Sequence, residues 1–139
     1  MSSPSVLDRW VTRGFWIAGG FNVLGMLLFS ELFTNPVMAS VDPAVFSRVG
    51  QIAVVLWGLA YCSVASTYKH VPWLIAVFAV EKLVYSIVWV VWVGTRGHTL
   101  PSIASESILT SVFYAVYGLG DMLSCIFFAW VVTHVSRRF

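Results

Sequence analysis

The chain has 139 residues, 59% of them hydrophobic and only 10% charged. Soluble domains carry about 25% charged residues, so the composition belongs to the membrane class and excludes an ordinary soluble domain. A net charge of +2 with scattered basic residues offers no patch for nucleic acid. The length suits a single membrane domain, residues 1–139.

Residues 1–13 form a polar lead with Asp8, Arg9 and Arg13. It lacks the charged-then-apolar layout of a signal peptide, and no small-residue cleavage site follows. The next apolar run is therefore expected to be retained. That run, residues 14–33, is the first predicted span. Around Asn22, helical spacing gathers Phe15, Ala18, Gly19, Gly25, Met26 and Phe29 on one face. Leu24, Leu27 and Leu28 fall on the other side. Glycines beside a mid-membrane asparagine predict a close helix–helix contact.

Residues 34–47 are the first predicted loop. Asn35-Pro36 is a turn signal, and Asp42-Pro43 reads as an N-cap followed by proline at the first helical position. The second predicted span covers residues 49–68. One of its faces carries Ala53, Trp57, Tyr61, Val64 and Tyr68, and a small face carries Gly58, Cys62 and Ala65. The small face is expected to be a helix contact. Lys69 and His70 make a very short connection, so the second and third spans should be antiparallel neighbours.

The third predicted span, residues 71–93, holds Glu81 and Lys82 near its centre. A lipid-facing charge at that depth costs at least ~2.5–3.5 kcal/mol. Successive residues lie about 100° apart around a helix, so the two cannot simply neutralise each other. Each needs a partner from another helix or an internal water. Phe78, Tyr85 and Trp92 share the face of Glu81, while Ile75, Ser86 and Trp89 share that of Lys82. With polar residues over so wide an arc, this helix is expected to be the most enclosed. A second loop, residues 94–106, leads to the fourth span, residues 107–132. There Thr110, Tyr114, Tyr117, Gly118, Asp121, Ser124 and Cys125 lie on one face. Val112, Val116, Leu119, Leu123, Ile126 and Trp130 form the opposite, lipid-facing stripe.

The expected fold is an all-α integral membrane protein, with four transmembrane helices in an antiparallel up-down bundle. Arg9, Arg13, Lys69, Arg137 and Arg138 then share one side, against Arg48 and Arg96 on the other. That bias predicts both termini in the cytoplasm, and a bacterial inner (cytoplasmic) membrane is the expected location.

Asn22, Glu81, Lys82 and Asp121 each fall about 8–11 residues from the cytoplasmic end of their spans, within a layer roughly 5 Å thick at ~1.5 Å rise per residue. The simplest pairing joins Lys82 to Asp121. Glu81 then turns to Asn22, Tyr61 or an internal water, and is a candidate proton-binding group. Trp57, Tyr61, Tyr85, Tyr114 and Tyr117 complete the outline of a midplane pocket. The polar stripe descending from Ser107 through Thr110 and Tyr114 to Asp121 predicts that this pocket opens outward and is closed inward.

These features point to a protein that binds or passes a small solute, a lipophilic molecule or a proton. One alternative is a non-catalytic membrane subunit or assembly partner, in which the charges only hold helices together. Another is a membrane-embedded isomerase or reductase-like enzyme with Glu81 as acid/base. The expected partners are the lipid bilayer and either a second copy or another membrane protein. His70, His98 and His134 sit at helix ends or in loops, and Cys62 and Cys125 lie in separate apolar runs without a C-x-x-C. No metal-binding, disulfide or cofactor motif is therefore expected.

Overall fold

The computed structural model describes residues 4–137, apart from the side chain of Ser136. The described residues form helices and turns, with no strand. Helix α1 spans Val6–Phe29, starting well before the predicted residue 14. A capping box explains the early start. Ser5 Oγ accepts from the Asp8 amide at 3.1 Å, and the Asp8 carboxylate accepts from the Ser5 amide at 3.2 Å. The polar lead from Val6 onward is thus part of the helix.

Helix α1 stops at Phe29 rather than at residue 33. Glu31, Leu32 and Phe33 follow with φ of 50°, 58° and 68°. This left-handed region is uncommon for residues other than glycine, so the turn is strained. Asn35 anchors it. Its Oδ1 accepts from the amides of Val37 and Met38, at 3.1 and 3.3 Å. Its Nδ2 donates to the Phe29 carbonyl at 3.1 Å and to Thr110 Oγ1 at 2.9 Å.

The predicted first loop is itself largely helical, with α2 (Pro36–Val41) and α3 (Pro43–Phe46). Asp42 does sit at an N-cap with Pro43 after it, but its side chain makes no capping bond and the helix ends at Phe46. Ser47 starts a new one, α4 (Arg48–Val64), by accepting from the Gly50 amide. A 3₁₀ turn, Tyr68–His70, leads to α5 (Pro72–Arg96). Helices α6 (Leu100–Glu106) and α7 (Ile108–Ser136) complete the chain.

Three helices are long and apolar enough to cross a membrane: Val6–Phe29, the helical run that begins at Pro72, and Ile108–Val135. The protein is thus all-helical with the make-up of an integral membrane protein. Helix α4 is apolar but shorter, at 17 residues. It ends at Val64, inside the predicted second span, and the chain turns before Tyr68.

Helix α1 packs chiefly on α4, and α5 packs on α7. The first contact rests on the expected small residues. A Cβ placed on Gly58 would lie 2.8 Å from both Asn22 Cβ and the Gly19 carbonyl oxygen. Gly58→Val should therefore force α1 and α4 apart and cost roughly 1–3 kcal/mol, as overpacking does. Denaturant unfolding in mixed micelles checks this, and an unchanged midpoint would contradict it. Along α5 and α7, Trp89 packs over Gly118 and its Nε1 donates to the Tyr114 carbonyl at 2.9 Å.

The two faces predicted for α7 are both present. Thr110, Tyr114, Tyr117, Gly118 and Asp121 are buried and Ser124 and Cys125 only half-buried, while Val112, Val116, Leu119, Leu123, Ile126 and Trp130 are exposed. Helix α5 departs from expectation. It is not the most enclosed, because 22% of its apolar stretch is buried against 33% for α1. Its polar residues occupy two adjacent rows only. The remaining arc, with Leu83, Val84, Ile87, Val90 and Val91, faces outward, where lipid can cover it.

Two aromatic clusters lie on either side of the polar residues. One contains Phe15, Tyr61, Tyr68, Phe78 and Phe128, with Val11 and Val135. At that end Asp8 pairs with Lys69 at 2.7 Å and accepts from the Tyr68 hydroxyl at 2.9 Å. The other contains Met38, Phe46, Trp92, Phe113, Tyr114 and Tyr117.

Candidate functional site

Lys82 stands at the centre of the polar layer and is 2% exposed. Its Nζ donates to Asp121 Oδ1 at 2.6 Å and to Asn22 Oδ1 at 2.8 Å. Asn22 passes the connection on, with Nδ2 donating to the Val54 carbonyl at 3.2 Å. The ammonium also lies 5.4 Å from the centre of the Tyr61 ring, within cation–π range. One lysine on α5 is therefore joined to α1, α4 and α7. The predicted Lys82–Asp121 pair is present, and the amide of Asn22 supplies the second acceptor that a buried ammonium needs.

Glu81 had three candidate partners, Asn22, Tyr61 and water. Its Oε2 accepts from the Tyr61 hydroxyl. Asn22 is taken by Lys82, and the helix turn between residues 81 and 82 directs the two charges to different neighbours. The Tyr61 ring is held between Phe78 and Phe128, with centroids 4.8 and 4.9 Å away. The layer is thus a set of charge-assisted hydrogen bonds set against apolar walls, where each bond is strong and each loss costly.

Beside these groups lies a cavity of about 60 Å³. A single water needs about 10–15 Å³ of such space, so there is room for a small chemical group. Asn22, Glu81, Lys82, Tyr85, Tyr117 and Asp121 line it, all of them expected site residues. The other three stand off its wall. Trp57 meets Phe78 edge-on at 6.2 Å, Tyr61 lies behind Glu81, and the Tyr114 hydroxyl donates to the Met38 carbonyl at 3.0 Å. Phe21, Gly25, Met26, Phe29, Val54, Phe113 and Val116 complete the wall without having been expected as site residues. Gly25, Met26 and Phe29 lie on the predicted face around Asn22, which was the available signal.

The expected outward opening is closed. Phe46 packs edge-on against Phe113, Tyr114 and Tyr117, with centroids at 4.9, 5.6 and 5.0 Å. The Tyr114–Met38 and Asn35–Thr110 bonds hold α2 and α3 down over that end. Asn35, Met38 and Phe46 are thus part of the site's enclosure. The apolar residues Val37, Met38, Val41, Val45 and Phe46 in a supposed loop were the sign of it. On its lateral wall the cavity is bordered instead by partly exposed side chains. Phe21 and Val116, on facing parts of α1 and α7, line it and are 46% and 42% exposed.

Comparison of the chain with protein-family models, with curated proteins and with solved structures finds no match.

Proposed function

We propose that the polar layer is a binding site for a small molecule drawn from the membrane, set within a four-helix antiparallel bundle. Passage of a small solute or a proton would use the same residues. The observation that carries this reading is the cavity of about 60 Å³ kept open beside a buried ion pair. The side-facing edge between Phe21 and Val116 favours a lipophilic ligand over a solute from water.

A second reading is supported by the geometry of Lys82. Its two acceptors, on α1 and α7, make it a good staple for an assembly subunit that binds nothing. Gly25→Leu separates the two readings. Gly25 lines the cavity, and a Cβ added there meets no atom within 4 Å. A leucine should therefore fill the space without straining the helix. In native mass spectrometry from mild detergent, wild type should carry a bound small molecule and Gly25→Leu should be bare, with equal helicity and unfolding midpoint. Identical spectra would favour the staple.

We place the bundle in a bacterial inner membrane with both termini in the cytoplasm. The Asp8–Lys69 pair supports a common end for the N-terminus and the α4–α5 turn, and Val11 and Val135 share one cluster there. Arg9, Arg13 and Arg137 belong to that end, while Arg138 lies outside the described residues. A reporter active only in the cytoplasm, fused after Phe139, should give strong signal. Signal from an external reporter alone would reverse the orientation.

A further inference from the structure

We infer that the cavity takes the carbonyl head of a neutral lipophile, which arrives sideways from the bilayer between α1 and α7. This rests on the reading of the polar layer as a binding site and names the chemistry of its ligand. The first observation is the state of the charges. Lys82 is held by Asp121 and Asn22, and Glu81 is held by Tyr61. Among the described residues Lys82 is the sole cation on the cavity wall, so they offer no unpaired cation to an anionic head.

The second observation is Tyr117. The residue is 4% exposed and lines the cavity, and its hydroxyl has no hydrogen-bond partner among the described residues. A buried hydroxyl left unbonded carries its full desolvation cost, so a ligand that satisfies it gains that difference. A phenol is a good donor, and among common acceptors that carry no charge and no proton of their own a carbonyl oxygen is a stronger one than an ether.

The third observation is the groove beside the cavity. Ile17, Ala18, Phe21, Gly120, Leu123 and Phe127 border an apolar channel of about 360 Å³ along the α1–α7 seam. Phe21 lines both the groove and the cavity, so its ring stands between them. The Phe21 ring lies against Gly120, where a Cβ would collide with it. Helices α1 and α7 touch far less than α1 and α4 or α5 and α7, so this seam is the looser one. An alkyl chain fits the groove, with its polar end turned past Phe21 towards Tyr117.

The test uses the whole protein in lipid nanodiscs with 2-undecanone labelled with carbon-13 at the carbonyl. Infrared difference spectra should show a carbonyl band at lower frequency than the ketone gives in empty nanodiscs, as hydrogen bonding to the phenol requires. Tyr117→Phe keeps the ring and removes a hydroxyl that bonds none of the described residues, so it should fold normally and lose the shifted band. Gly25→Leu should lose it too. A shifted band that survives in Tyr117→Phe would overturn the assignment of Tyr117. No shifted band in wild type, together with a bound mass that Gly25→Leu still abolishes, would overturn the carbonyl assignment and leave the binding site standing. Absence of both would remove the site as well.

Discussion

Lys82→Met or Asp121→Asn, made singly, should destabilise the protein by roughly 3–5 kcal/mol, because each leaves one buried charge without its partner. The pair is 2.6 Å apart, with side chains 2% and 8% exposed, so solvent cannot take over the lost interaction. The two changes should differ in detail. Asp121→Asn leaves Lys82 with neutral acceptors only, Asn22 and the new amide oxygen, whereas Lys82→Met leaves the buried Asp121 carboxylate without its cation. The double variant should recover much of the loss, since desolvation of the pair consumes most of its attraction. Unfolding midpoints of the four proteins in mixed micelles give the coupling directly. Losses that simply add would show that the two residues act independently.

Phe46→Ala should cost about 3–5 kcal/mol, the usual range for truncating a buried phenylalanine. Its ring is 1% exposed and meets Tyr85, Phe113, Tyr114 and Tyr117. Helix α3 is only four residues long and its N-cap makes no side-chain bond, so local propensity does little to hold it. The packing of Phe46 therefore carries much of the cap's stability. Loss of the ring should also let water reach the polar layer, which hydrogen exchange of the α7 amides near Tyr117 would detect. A change below about 0.5 kcal/mol, typical of a surface site, would mean that the cap is not packed as described.

The parts legible in the sequence share one physical origin. Polar and charged residues inside a membrane are costly unless they have a use, so their spacing is informative. The Asn22 face of α1, the two faces of α7 and the Lys82–Asp121 pair could all be read that way. The Gly19–Gly58 contact was readable for a related reason, since small residues let backbones approach. What could not be read lies mostly between the spans. The turn at Glu31, Leu32 and Phe33 takes left-handed backbone without any glycine to signal it. Helices α2 and α3 are too short for periodicity to show, and their proline starts look the same as loop prolines. Consequently the polar stripe on α7 suggested an open mouth where Phe46 forms a lid. Helix α5 misled for another reason. Its polar residues mark where it is buried, but the rest of its circumference is apolar enough to meet lipid.

Glu81 shows how far composition alone can go. Burial required a partner, and three were in reach at the same depth. Only packing chose among them, by placing Tyr61 between Phe78 and Phe128 so that its hydroxyl meets the carboxylate. Glu81→Gln keeps an oxygen to accept from Tyr61 and should leave the unfolding midpoint within about 0.5 kcal/mol, as changes that preserve a hydrogen bond do. A loss several times larger would show that the negative charge itself is needed there.

The most direct measurement is an experimental density map of the protein in lipid nanodiscs, at a resolution that shows side chains. Non-protein density should occupy the space bounded by Tyr117, Gly25 and the Lys82–Asp121 pair, and should continue past Phe21 towards the α1–α7 seam. Met26 and Phe113 closed upon Asp121, with no space left between them, would contradict it.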